Sequence, residues 1–158
     1  MADSTWTSSV DGVFTARAQS TTTGIKGRNI TRVRDRNFLV DDPATPEYDN
    51  GPGEELGAAE LFVAGITTCA SLMLERVARA EGIAYESFTV DFAGTRDMRA
   101  PREPGPQAMD SARMLFTFRG VSEETAAYLT DAFQNRCPLY GSVAIATPDT
   151  VVEWKVEG

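Results

Sequence analysis

An α+β domain, with two main helices packed on one face of an antiparallel sheet, is what the apolar patterns along this chain predict. Two segments alternate cleanly, 87 to 94 (SFTVDFAG) and 112 to 119 (ARMLFTFR), and a third, TVVEWKV, lies near the C-terminus. A long stretch without proline, 56 to 81, precedes them, and a capped helical pattern from 122 to 136 separates the second from the third. At 158 residues the chain fits one domain, 1–158, able to bury a core without disulfide staples or a structural metal.

Residues 10 to 20 and 28 to 40 are rich in β-branched and aromatic side chains, and the turn-prone TTTGIKG divides them. They predict an N-terminal antiparallel meander with one strand over 28–40. Segment 41 to 55 holds three prolines, two glycines and six acids, the pattern of a solvated loop. From Leu56 to Glu81 apolar residues occur nearly all round the helical wheel until Glu75, and Gly82 offers a stop, so a central, mostly buried helix is expected. The alternating strands present Phe88, Val90 and Phe92 on one face and Met114, Phe116 and Phe118 on the other strand's face, joined by a charged, proline-rich connection at 95 to 111. Val121 and Ser122 read as staple and N-cap of a second helix, with Glu123 and Glu124 in its first turn. Pro138 ends it near Arg136, because the residue before proline disfavours the α region. A short element, CPLYGSVAIA, and the last strand complete the order. The first helix is too apolar for one small sheet to cover, and an intertwined homodimer would supply the rest.

The hydrophobic share of 42% and charged share of 24% are those of a soluble globular protein, and a formal charge of -8 argues against nucleic acid or an anionic membrane as partner. The N-terminus lacks a basic start followed by an apolar run, so the expected compartment is the cytoplasm. The chain has no histidine, which removes Ser-His-Asp and Cys-His catalysis and histidine-based zinc sites. Two thiolates with carboxylates match the usual zinc set poorly, so neither a metal nor another bound cofactor is expected.

The chemistry then falls to the cysteines, which in a reducing compartment are free thiols or redox catalysts rather than a permanent bridge. Cys69 lies in the apolar helix, with Gly65 and Ile66 one turn before it and Leu72 and Met73 one turn after. A helical cysteine is by default a small buried hydrophobe. Cys137 precedes a proline suited to the first position of a helix, which puts it at or beside an N-cap where free N–H groups favour a thiolate; the plainer reading is a loop cysteine beside a turn. Together they could cycle through sulfenic acid and disulfide, although a separation of 68 residues does not by itself show contact.

Three motifs carry a resemblance. ELFVAGITTCASLMLERVARAEG at 60 to 82 resembles the first cysteine helix of the OsmC/Ohr family (osmotically inducible protein C and organic hydroperoxide resistance protein). FLVDDP at 38 to 43 is similar to the strand and turn before that helix, and CPLYGSVAIA at 137 to 146 to the second cysteine motif; the likeness spans roughly residues 24 to 156, on the OsmC-like branch. The resemblance implies an OsmC-like fold of two interlocked subunits with active sites at their interface. It implies reduction of organic hydroperoxides by Cys69, resolution by Cys137, and recovery through an external dithiol or lipoylated reductant. An apolar wall suits such substrates, since each buried methylene contributes ~0.8 kcal/mol.

A buried thiolate needs a cation. In the family an arginine of the N-terminal strands supplies it, held by a glutamate near the start of the cysteine helix. Arg28, in GIKGR, resembles the arginine of the hydroperoxide-resistance branch, and Arg34, nine residues before Pro43, that of the branch with the FLVDDP-like turn. The chain departs from the pattern at Ala59, ten residues before Cys69, where the better characterised branches have glutamate. Glu60 stands nine before, opposite Cys69 on a straight helix turning about 100° per residue. The alternative reading is a non-catalytic OsmC-like protein that binds a small apolar ligand or senses redox state.

Overall fold

Side-chain patterning and turn chemistry set the elements of this chain, seen in a computed structural model that describes residues 7–10, 13–45, 48–99 and 104–158. The chain divides into two units, Met1–Leu61 and Phe62–Gly158.

In the first unit β1 (Thr7–Val10) and β2 (Val13–Ala16) form an antiparallel pair. β3 (Gln19–Thr22), β4 (Arg28–Val33) and β5 (Arg36–Asp41) form an antiparallel sheet in the order β3-β4-β5. The expected meander is therefore present, but the single strand expected over 28–40 is a hairpin. Arg34 makes the turn with φ 56°, a left-handed conformation usually left to glycine, and its carbonyl accepts a hydrogen bond from Arg32 Nε at 2.9 Å. The turn sets the register and brings Arg28 directly opposite Asp41.

The segment 41 to 55, expected to be a solvated loop, is tied down. It contains the two short paired strands β6 (Ala44–Thr45) and β7 (Tyr48–Asp49), and Asp41 is only 2% exposed. Gly27, at φ 69°, accepts a hydrogen bond from the Asp42 N–H on its carbonyl. A Cβ at that position would run into the backbone carbonyl of Asn50, so glycine is required there.

Helix α1 (Ala58–Glu81) begins with Gly57 as N-cap, and Glu60 Oε2 accepts the Gly57 N–H at 2.7 Å, the glutamate half of a capping box. It ends at Gly82, φ 67°, with the Ile83 N–H bonded to the Ala78 carbonyl at 2.9 Å. Within the second unit Ile66, Ala70, Leu74 and Val77 form its buried stripe. Other sides of the helix are open in the single chain, with Phe62 48% and Leu72 53% exposed, as expected of a helix that one small sheet cannot cover. The elements of one chain cover one stripe of α1, not its whole circumference. By length and composition α1 could cross a membrane, but its buried stripe belongs to the core cluster with residues 112–118 and 126–133, as in the core helix of a soluble protein.

The two alternating segments are β8 (Ser87–Thr95) and β9 (Ser111–Arg119), an antiparallel pair whose register sets Phe88 against Phe118, Val90 against Phe116 and Phe92 against Met114. Two apolar rows thus lie side by side on one face. Helix α2 (Glu123–Arg136) starts as expected, Ser122 Oγ accepting the Thr125 N–H at 3.2 Å, and a short α3 (Pro138–Ala146) follows. Phe116 meets Phe133 of α2 edge to face at 5.0 Å between ring centroids, and full burial of each ring contributes about 1.5–3 kcal/mol.

The last strand, β10 (Asp149–Glu157), pairs with β9 in parallel, giving the order β10-β9-β8. The expected antiparallel sheet is present at β8–β9, and β10 adds a parallel edge to it. Between β9 and β10 the chain runs through α2 and α3, a helical crossover that returns it to the end of the sheet from which β9 began.

Candidate functional site

Cys137 closes α2 and opens α3. Its N–H bonds to the Phe133 carbonyl at 2.9 Å, and its backbone is extended at φ −86° and ψ 111°, as the following Pro138 demands. It occupies the expected N-cap, although its side chain makes no capping hydrogen bond. Its sulfur instead meets that of Cys69, the two Sγ atoms 3.3 Å apart as free thiols. A disulfide requires about 2.05 Å, so small side-chain rotations would join them.

The surroundings are apolar: Cys137 is 3% exposed, and Cys69 packs half-buried against the core beside Met73. Burial pushes the Cys69 thiol up to about 11, and its contact with Cys137 acts in the same direction. One cation opposes this, Arg76, seven residues further along α1. Sequence reading passed over Arg76, although a seven-residue step, two helical turns, would have put it on the Cys69 face.

The N-terminal candidates lie in the first unit, where Arg28 and Glu60 have side-chain partners. Arg28 donates from Nε to Asp41 Oδ1 at 2.8 Å and from Nη2 to Asp41 Oδ2 at 2.6 Å and Glu54 Oε2 at 2.7 Å. Asp41 Oδ2 also accepts the N–H groups of Glu54 at 3.1 Å and Glu55 at 3.2 Å. With Arg28 the main cause and these amides helping, the Asp41 carboxyl is held down to about 2 despite its burial. The same pairing raises Arg28 well above the ordinary arginine value.

The carboxylates that hold Arg28 are thus Asp41 and Glu54, whereas Glu60 caps α1. Asp41 escaped sequence reading because its place opposite Arg28 depends on the Arg34–Asp35 turn. Arg34 itself is exposed at that hairpin tip. A cleft of about 740 Å³ lies in the first unit, with Asp41, Asp42, Glu54, Glu55 and Glu60 in its wall. Neither cysteine lines it.

Comparison with known proteins bears on the family and the fold. The family model described as OsmC-like protein matches residues 51–152. No curated protein matches the chain significantly by sequence. Among solved structures, an organic hydroperoxide resistance protein from Elizabethkingia anophelis, with crystallant-derived thiocyanate bound, superposes with a TM-score of 0.73 at 17% identity, covering 94% of this chain and 100% of that one. An organic hydroperoxide resistance protein OsmC from Legionella pneumophila gives 0.72 at 17% identity, covering 91% and 98%. OhrB of Bacillus subtilis gives 0.63 at 20% identity, covering 90% and 98%. The α+β fold of this chain is the one these structures share.

Proposed function

The chain belongs to the OsmC-like protein family, and from its apposed sulfurs we propose that it is a thiol peroxidase that reduces organic hydroperoxides. The observation that carries this reading is the 3.3 Å contact between Cys69 and Cys137 in an apolar setting. The Cys69 thiolate attacks the distal oxygen of the hydroperoxide. The O–O bond breaks, an S–O bond forms, and the alkoxide leaves and takes up a proton to become the alcohol. The Cys137 sulfur then attacks the sulfenic sulfur, its proton leaves with the hydroxyl as water, and a disulfide forms. An external dithiol or lipoylated reductant restores both thiols and is itself oxidised to a disulfide.

Cys69 takes the attacking role because it is the more accessible of the two, and the buried Cys137 the resolving role. Arg28 and Arg34 are the proposed cationic residues of the first unit, with Glu60 at the start of the cysteine helix. A homodimer is proposed because Leu56, Phe62 and Leu72 leave apolar surface that a second copy would cover. The cytoplasm, with its dithiol reductants, is the proposed compartment.

Stopped-flow mixing of the reduced protein with an alkyl hydroperoxide and with hydrogen peroxide tests the reading. Faster consumption of the alkyl substrate is expected, with Cys69→Ser at background and Cys137→Ser giving one oxidation followed by over-oxidation. Absence of consumption in the presence of dithiol would overturn it. The raised pKa of Cys69 would then favour the alternative, a redox-sensing or small-ligand-binding member of the family.

A further inference from the structure

Arg76 stands seven residues after Cys69 on α1, two turns along and about 20° round the helix, so the two side chains share a face. Long helical side chains lean back toward the N-terminus, which here is toward Cys69. Other arginines are committed to carboxylates: Arg28 to Asp41 and Glu54, Arg99 to Asp97, Arg113 to Asp149 and Arg119 to Glu157. Arg76 is exposed and, among the described residues, makes no hydrogen bond or salt bridge, so no carboxylate neutralises its charge. The groups acting on Cys69 are Cys137, from the α2–α3 junction, and Arg76, whose charge favours the thiolate.

We propose that Arg76 supplies positive charge to the Cys69 thiolate, as a positioning residue that acts through Cys69 without touching the peroxide. The proposal rests on the reading of Cys69 as the attacking thiol. An arginine suits the task because it stays charged at every pH at which the thiol titrates. A single exposed charge across ~10 Å shifts a thiol by about half a pH unit at low salt, and less once salt screens it.

The test is the pH dependence of Cys69 alkylation by iodoacetamide, resolved from Cys137 by mass spectrometry, in reduced wild type, Arg76→Ala and Arg76→Lys. Arg76→Ala should move the Cys69 midpoint up by about half a unit, about threefold slower alkylation below the midpoint, at low ionic strength. Arg76→Lys should restore most of the shift, and molar salt should erase the difference. A structural role for Arg76 would follow neither charge nor salt. Coincident profiles for wild type and Arg76→Ala overturn the proposal. Because alkylation needs no peroxide, a shifted profile in a protein that consumes none supports the role of Arg76 while overturning the peroxidase reading.

Discussion

Asp41 is buried and Cys69 half-buried, and their acidities move in opposite directions. Asp41 is held down to about 2 by two hydrogen bonds from Arg28 and two from backbone amides, whereas Cys69 is pushed up to about 11 by burial among apolar side chains and by its contact with Cys137. Burial alone disfavours the charged form of either group. The donors decide the sign. The first site is held by charge and its hydrogen bonds, and the second by packing.

That contrast is open to test. The largest effect on stability is expected at Phe133, whose ring joins Phe116 and Tyr140 four residues before Cys137. Phe133→Ala should cost about 3–5 kcal/mol in urea unfolding, with little dependence on salt. A smaller effect strongly dependent on salt would show that packing does not dominate at the sulfur pair.

Next comes Asp41, where the prediction is one of pH. Its folded pKa lies below the ordinary aspartate value of about 3.9, so its stabilisation is present above about pH 4 and is lost as pH falls toward 2. Asp41→Asn should unfold at a lower temperature than wild type at neutral pH, and the gap should close in acid. A gap that persists at pH 2 would mean that shape, not charge, holds the site.

Cys69 should behave in the opposite sense. A thiol raised above its ordinary value near 8.5 stabilises the fold below that pH and loses its contribution as pH rises through about 11. Cys69→Ala should therefore lose less stability than wild type between pH 8.5 and 11, by differential calorimetry on reduced protein. Parallel curves would contradict the burial of this thiol. The smallest effect is expected at the first helix cap, where Glu60→Ala removes one bond to the Gly57 N–H, at about 0.5 kcal/mol. A loss several times larger would point to a second role for Glu60.

Legibility followed how local each determinant is. Helix α2 could be read to the residue because Ser122, Glu123 and Pro138 act within a turn of its ends. The apolar rows of β8 and β9 were equally plain, since alternation is written in the strands themselves. The β4–β5 hairpin was hidden because Arg34 adopts φ 56° without glycine or proline to mark it, and with the turn went the pairing of Arg28 and Asp41. The direction of β10 depends on where two intervening helices lead the chain, which no window of residues contains. For the site, spacing could not bring Cys69 to Cys137; the motifs around them could, through their likeness to a family. Arg76 was within reach of a helical wheel, but it stands among the charges that begin at Glu75 and was read only as one of them.

The parallel docking of β10 also bears on the order in which the second unit assembles. The β8–β9 hairpin and the α2–α3 pair each form from neighbouring segments, but every β9–β10 pairing joins residues 38 apart, Ser111 to Asp149 at one end and Arg119 to Glu157 at the other. Such distant pairings are slow, because the entropy of closing the loop is lost before the contacts that reward it exist. A late arrival of β10 is the expected order in this unit, and until it docks one edge of β9 is bare. During such an interval the chain would offer another copy of itself an unpaired edge beside its row of phenylalanines, the kind of exposure that leads to aggregation.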